Sequence, residues 1–154
     1  MNRFNRIIQK RSSRAQHGGG RIYHIINALV SRFIKLYYHC DIPGNLNLKG
    51  VYFCHEGFNI VINPNASIGE GTYIQHGVTI GSRDDIGDTK APIIGRNCYI
   101  GAKATIIGNI TIGDNCKIGA GAVVVTDIPP GCTAVGIPAR IIKQRNEITQ
   151  TDTY

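Results

Sequence analysis

The chain has 154 residues, a formal net charge of +7 and a pI near 9.3. This length fits one domain of ordinary size with an appendage, and no segment is apolar enough for a membrane span or a secretory signal. Residues 1–40 carry eight Lys and Arg and no acidic residue, so subtracting this +8 from +7 leaves −1 for the rest. The basic pI therefore does not indicate specific nucleic-acid binding by the body of the protein.

Residues 1–40 are predicted to form a basic N-terminal arm. Its first 20 residues are polar and end in three glycines, Gly18 to Gly20, which predicts a flexible leader. Apolar residues then recur at helical spacing and predict an amphipathic helix. They are Ile22, Ile25, Ile26, Leu29, Val30, Phe33 and Tyr37. We favour a helix that caps the first coil or a neighbouring subunit; the alternative is peripheral contact with an anionic membrane.

A six-residue repeat dominates the following segment. Ten aliphatic residues mark it: Ile62, Ile68, Ile74, Ile80, Ile94, Ile100, Ile106, Ile112, Ile118 and Val124. Neither a helix nor a half-buried strand has this period, whereas three hexads can close a triangular coil of very short strands. The repeat predicts an all-β solenoid with the markers inside and, after many markers, a glycine at a corner where other residues would be strained.

The solenoid is predicted to span residues 41–143, beginning at Asp41-Ile-Pro-Gly, with a polar tail over 144–154. Residues 81–93 break the repeat and are predicted to leave the coil as a loop, a usual place for substrate contacts. Of the five cysteines, Cys98 and Cys116 are spaced to stack in consecutive coils. An odd number of cysteines without a CxxC pair favours reduced thiols. Reduced thiols are typical of a cytoplasmic protein, and we expect this protein to be free in the cytoplasm or peripheral at the inner face of the membrane.

Several motifs closely resemble those of the hexapeptide-repeat acyltransferases, within them the serine acetyltransferase and polysaccharide O-acetyltransferase branch. They are Asp41-Ile-Pro, Phe53-Cys-His55, Ile60-Val-Ile-Asn-Pro-Asn-Ala66, Gln75-His-Gly-Val-Thr-Ile-Gly81, Ile100-Gly-Ala-Lys-Ala104, Asp127-Ile-Pro-Pro-Gly and Val135-Gly-Ile-Pro-Ala-Arg140. The resemblance implies a left-handed parallel β-helix and a homotrimer with acetyl-CoA, and no metal, bound between neighbouring subunits.

Acetyl transfer to a hydroxyl needs a base that removes the hydroxyl proton. By resemblance His55 is the catalytic base and Asp41 the acidic partner that orients it, although Asp41 could equally be a turn residue. Placing His55 at the catalytic position needs a deletion before it and an insertion after it, which a corner bulge can absorb. His76 is a substrate-side residue or the fallback base, and Glu56 and Lys90 are further substrate-side candidates.

For acetyl-CoA the resemblance points to small residues that let the ligand lie against the coil, and to cations for its phosphates. The small residues are Gly81, Ser82, Ala102 and Ala120. The cations are Lys117, Arg140 and Lys143, although any one of these could simply be solvated.

One departure bears on the acceptor: serine acetyltransferases carry an arginine-histidine pair where this chain has Lys90-Ala91. The main prediction is therefore an O-acetyltransferase acting on a sugar or glycan precursor, with serine as the alternative acceptor. A covalent mechanism through Cys54, a zinc enzyme of the β-helical carbonic anhydrase type and a non-catalytic trimeric scaffold are weaker alternatives. Only His55 and His76 lie in the solenoid, whereas zinc catalysis there takes three histidines.

Overall fold

A computed structural model describes residues 2–15, 21–83 and 90–144, without the side chains of 12–15 and 21–23. The body is a left-handed parallel β-helix, as the hexads and the resemblance predict. Most of its strands have two residues, because each side of the triangular coil ends at a corner after one outward and one inward side chain.

Three sheets form the sides of the prism, here named faces B, A and C in the order in which the chain visits them. Face B contains β1 (Tyr52–Phe53), β4 (Tyr73–Ile74), β7 (Tyr99–Ile100), β10 (Lys117–Ile118), β12 (Cys132–Gly136) and β13 (Ala139–Gln144). Face A contains β2 (Val61–Ile62), β5 (Thr79–Gly81), β8 (Thr105–Ile107) and β11 (Val123–Val124). Face C contains β3 (Ser67–Ile68), β6 (Ile93–Ile94) and β9 (Thr111–Ile112).

The strand register confirms a coil of three hexads. Val61 pairs with Thr79 and Tyr99 with Lys117, each 18 positions later, which also stacks Cys98 on Cys116. All ten markers are buried. Ser67 pairs with Ile93, 26 positions later, so the extra residues of this coil fall in the predicted loop. Residues 84–89 of that loop lie outside the described residues.

The glycines that follow the markers serve close packing, except Gly81, and the predicted corner strain lies elsewhere. A Cβ on Gly69 would lie 2.6 Å from the carbonyl carbon of Gly95 in the next coil, so only glycine allows the coils to stack this closely. The left-handed backbone falls two positions later, for example at Asn97 (φ 52°) and Asn115 (φ 60°). Asparagine tolerates this conformation, which is why a glycine count does not locate these corners.

The prediction of a flexible leader is wrong for residues 3–15, which form helix α1 (Arg3–Ala15). Phe4 and Ile8 are buried against the first coil. The Asn5 amide donates to the carbonyl oxygen of Phe53 (3.0 Å) and accepts from the Phe53 N–H (2.8 Å). Helix α1 thus covers the free edge of β1, whose backbone groups would otherwise lack partners.

Helix α2 (Arg21–Tyr38) forms where the spacing predicts a helix, but its packed face differs from the prediction. Ile34 and Tyr38 are buried, whereas Ile25, Leu29 and Leu36 are each more than 60% exposed. Except for Val30, the described residues of the apolar face predicted as a cap therefore do not pack on the core, and α1 covers the first coil instead.

The C-terminal end of the solenoid is closed by β13, which pairs antiparallel with β12. Residues 145–154 lie outside the described part of the chain. Among the described residues, no helix has the length and apolar character needed to cross a bilayer.

Candidate active site

A three-residue bulge interrupts the corner between faces B and A in the first coil. Phe53 pairs with Ile74, 21 positions later, whereas Val61 on the next face pairs with Thr79, only 18 later. The three extra residues are His55, Glu56 and Gly57, which form a short 3-10 turn. The corner that carries His55 therefore contains a bulge of three residues.

All three residues of this bulge have left-handed backbone conformation, with φ of 49° at His55, 56° at Glu56 and 65° at Gly57. L-residues pay about 1 to 2 kcal/mol each for this conformation and normally adopt it singly. Such strain concentrates at functional sites, where the surroundings hold it in place. Here the Phe4 ring of α1 packs directly against Gly57.

The bulge brings two imidazoles together. The ring centres of His55 and His76 are 5.1 Å apart and their planes are nearly perpendicular, at 88°. His55 is exposed and His76 half-buried. The Nδ1 atom of His76 is buried and has no hydrogen-bond partner among the described residues. The corner thus offers one accessible imidazole and one partly enclosed imidazole beside it.

Small residues occupy the same corner in the coils that follow the histidines. The N–H of Lys103 donates to the His76 carbonyl oxygen and that of Gly121 to the Ala102 oxygen, so His76, Ala102 and Ala120 occupy equivalent places in successive coils. Ala102 is half-buried and Ala120 exposed. The structure therefore brings together four of the predicted site residues in one line, which we name the histidine corner: His55, His76, Ala102 and Ala120.

Asp41 lies on face A beside Val61, and its carboxylate is paired with Lys35 of α2 at 2.9 Å. Both side chains are exposed. Among the described residues no hydrogen bond joins Asp41 to His55, so the contact expected from the resemblance is not formed in this single chain.

The other substrate-side candidates lie at different places. Glu56 is exposed within the bulge itself, beside His55. Lys90 is exposed at the returning end of the 81–93 loop. The Ala91 side chain that follows is only 6% exposed and packs into the core, so this position offers no polar group to a substrate.

The acetyl-CoA candidates fall into separate groups. Gly81 and Ser82 lie where β5 leaves face A, a full face away from the histidine corner, and Ser82 Oγ accepts a hydrogen bond from Asn63 Nδ2 (3.1 Å). Arg140 is exposed on β13, where one guanidinium nitrogen donates to the Ala139 carbonyl oxygen at 3.0 Å. One protomer does not bring these residues to the histidines.

Two candidate cations do lie together. Lys117 and Lys143 flank Thr133 on adjacent strands of face B, and all three line a surface depression of about 230 Å³. Asn115 and Gly131 complete its lining. Two exposed ammonium groups with an amide and a hydroxyl between them can bind phosphate oxygens.

The Cys54 thiol borders the bulge and is half-buried. Burial raises the pKa of Cys54, opposed in part by a side-chain hydrogen bond from Gln75. A thiol with a raised pKa is protonated near neutral pH and is a poor nucleophile. The zinc alternative has no support in the geometry either, because the described residues include no group of three or more His, Cys, Asp or Glu side chains placed to hold a metal.

The sequence patterns did not predict a row of exposed tyrosines on face B. Tyr52, Tyr73 and Tyr99 pair in register and are all exposed, and the Tyr52 and Tyr73 rings stack with centres 5.0 Å apart. Tyr52 and Tyr73 each precede a histidine of the corner by three positions. The row could have been predicted, because each tyrosine directly precedes an inward-facing residue of face B and must therefore point outward.

Comparison with known proteins identifies relatives of this architecture. The family described as bacterial transferase hexapeptide (six repeats) matches residues 91–126. A serine acetyltransferase of Helicobacter pylori is 38% identical over 125 residues, which cover 79% of this chain and 71% of that protein.

Two solved structures are similar along most of the chain. The serine acetyltransferase of Neisseria gonorrhoeae in complex with serine has a TM-score of 0.76 at 33% identity, covering 91% of this chain and 55% of that one. The serine acetyltransferase of Brucella abortus in complex with coenzyme A has a TM-score of 0.78 at 27% identity, covering 92% and 55%. The chain spans about half the length of several other curated relatives that it matches.

Proposed function

Since this chain belongs to the hexapeptide-repeat acetyltransferases, in the branch that contains the serine acetyltransferases, we propose that it transfers an acetyl group from acetyl-CoA to a hydroxyl. The observation that carries this proposal is the strained bulge that presents His55 beside His76 at the head of a corner of small residues. The bulge holds a base at an accessible position, and the small residues leave room for an extended ligand.

In the proposed reaction His55 removes the proton from the acceptor hydroxyl as its oxygen attacks the acetyl carbonyl carbon. A C–O bond forms, the C–S bond of the thioester breaks, and the proton passes from the imidazolium to the departing thiolate, which leaves as free CoA. Imidazole suits both steps because its ordinary pKa lies near neutral pH. No covalent enzyme intermediate is needed, in keeping with a protonated Cys54.

His76 is the second candidate for proton transfer. Its ring lies 5.1 Å from that of His55 and can either accept a proton or hold the acceptor hydroxyl toward His55. We assign it the holding role, because His55 is the more accessible of the two rings. Asp41 stays a prediction as the orienting carboxylate, since it would first have to leave Lys35.

For acetyl-CoA we propose that the pantetheine arm runs along the histidine corner past Ala102 and Ala120. Lys117 and Lys143 then bind phosphate oxygens of the nucleotide at the far end of face B. Gly81 and Ser82 can join this site only from a neighbouring subunit, because they lie on another corner of their own chain. The proposal therefore includes a homotrimer with sites between subunits.

The acceptor to which the relatives point is serine, since one of the solved structures is a complex with serine. A sugar hydroxyl is the second candidate, and two observations favour it. Ala91 offers no polar contact for an amino acid, and the exposed tyrosine row beside the histidine corner offers aromatic faces on which sugar rings can stack.

The test is release of free CoA from acetyl-CoA with serine, with simple sugars and with nucleotide sugars as acceptors. We expect release of free CoA to depend on the acceptor and to saturate with rising concentration of one acceptor class. Tyr73→Ala should raise KM for a sugar acceptor and leave KM for serine unchanged, so the pair of measurements separates the two candidates. Absence of acceptor-dependent release with every hydroxyl compound, despite intact binding of acetyl-CoA, would contradict the proposed reaction.

A further inference from the structure

We propose that the exposed side of helix α2 docks on the surface of an anionic lipid bilayer. Its apolar stripe consists of Ile25, Ile26, Leu29, Phe33, Leu36 and Tyr37, all exposed. This inference is independent of the acetyl-transfer chemistry.

The stripe is a continuous face of the helix. At 3.6 residues per turn, Ile25, Leu29 and Leu36 lie opposite Ile34 and Tyr38, the residues that α2 buries against the rest of the protein. These three are 62%, 64% and 68% exposed, so most of their apolar surface faces water. A cluster of this size on one helix indicates a binding surface, because monomeric proteins rarely leave large aliphatic groups exposed together.

The borders of the stripe have the composition of a helix that lies in a membrane interface. Arg32 is exposed along one border, and at the other the rings of Phe33 and Tyr37 stack with centres 5.5 Å apart. The Tyr37 ring, which carries a hydroxyl at its edge, suits the headgroup region, and basic residues flank such helices on their water side.

The charge of the N-terminal arm favours a bilayer over a second copy of this chain as the binding partner of the stripe. Residues 1–40 carry +8 with no acidic residue. Arg11 is buried and Lys35 is paired with Asp41, so these two add little to the surface charge. Arg3 and Arg6 are exposed on α1 and Arg32 on α2. Two copies meeting through α2 would bring two such arms together without a compensating charge. Anionic headgroups supply that charge, and each basic residue near such a surface strengthens binding.

The experiment measures co-sedimentation of the full chain with phosphatidylcholine vesicles, with and without phosphatidylglycerol. We expect binding only to the anionic vesicles and weaker binding at high salt, because screening shortens the range of the attraction. Leu29→Asp combined with Leu36→Asp should lower partitioning about tenfold or more, since both acidic groups would face the bilayer. Ile141→Asp combined with Ile142→Asp is the matched control, because these residues are 45% and 65% exposed on β13 and the pair adds the same two acidic groups outside α2, so partitioning should stay unchanged.

Molecular mass without lipid, measured by light scattering, completes the test. An unchanged mass with lost vesicle binding supports the proposal. Failure of the unsubstituted chain to bind anionic vesicles overturns it, as does retained binding by the double variant of α2. A lower mass of the double variant of α2 also overturns it, whatever happens to vesicle binding, because the stripe would then be a contact between copies.

Discussion

At the scale of single residues, the site depends on a short run of unfavourable backbone conformations. His55, Glu56 and Gly57 are held in left-handed conformation between Cys54, which keeps its ladder hydrogen bond to Ile74, and Phe58, which aligns with His76. The strain is compensated by packing beneath the bulge, above all by the Phe4 ring against Gly57. The position of His55 therefore depends on residues that take no part in the chemistry.

Gly57→Ala should destabilise the protein by about 2 to 4 kcal/mol, combining a left-handed alanine with overpacking. The added Cβ would clash with the Phe4 ring. Gly121→Ala is the control, because Gly121 has φ 66° but no atom within 4 Å of such a Cβ, so it should cost only about 1 kcal/mol. Urea unfolding measures the free energy of unfolding of both variants, and an equal decrease in the two would show that Phe4 does not support the bulge.

Cys54→Ala should keep kcat within about threefold of the unsubstituted enzyme, because a thiol whose pKa is raised by burial is not the nucleophile. Steady-state CoA release measures this, with circular dichroism to check folding. A hundredfold loss in a folded variant would favour a covalent acetyl-cysteine mechanism.

Among the secondary-structure elements, α1 covers the first coil, the role that the sequence pattern predicted for α2. Its contacts with the first coil combine two buried apolar residues with amide side chains that bond to backbone. Besides Asn5, the Gln9 amide donates to the carbonyl oxygens of Leu48 (3.0 Å) and Val51 (2.9 Å). Such a helix supplies hydrogen bonds to a strand edge as well as apolar contacts.

Asn5→Ala should cost about 1 to 3 kcal/mol, since it removes the side-chain acceptor of the buried Phe53 N–H and leaves the Phe53 carbonyl oxygen with only the longer bond from Asn2 Nδ2 (3.3 Å). Arg6→Ala, on the exposed side of the same helix, should change the free energy of unfolding by less than about 0.5 kcal/mol. Equal effects of the two substitutions in thermal unfolding would mean that the edge contact adds nothing.

Predictability from sequence differed between elements for a physical reason. The solenoid was predictable because burial of Ile62 through Val124 repeats with the coil, and side-chain burial is what hydrophobic periodicity measures. Helix α1 was missed because its apolar face is short, although Phe4, Ile7 and Ile8 have helical spacing. The rest of its packing depends on amide-to-backbone bonds, which hydrophobic periodicity does not measure. Of the site, His55 and His76 could be named from motifs, but their ring contact depends on three extra residues that only the strand register reveals. The Asp41–Lys35 pair likewise depends on how α2 ends.

At the scale of the whole molecule, the candidate acetyl-CoA residues lie on two corners and one face of the same prism. A single chain cannot bring Gly81 to Ala102, so the proposed site requires a neighbour. We expect a mass in solution about three times the 16.8 kDa of the chain.

Mixing of inactive subunits tests the shared site. Gly81→Gln should fold normally, because no atom lies within 4 Å of a Cβ there, but should obstruct the site of the adjoining subunit. Random trimers of equal parts Gly81→Gln and His55→Ala should regain about a quarter of full activity, because one site in four would combine two intact contributions. No recovery in verified mixed trimers would place the site within one chain.

If His55, displayed by the bulge, is the base for acetyl transfer, then kcat for CoA release with the same acceptor should distinguish His55→Ala from His76→Ala. We predict a loss of about a thousandfold for His55→Ala and about tenfold or less for His76→Ala, with unfolding temperatures unchanged in both, because general-base catalysis contributes about 10² to 10⁴ in rate. A folded His55→Ala enzyme that keeps kcat within tenfold, while His76→Ala loses activity, would show that His55 is not the base.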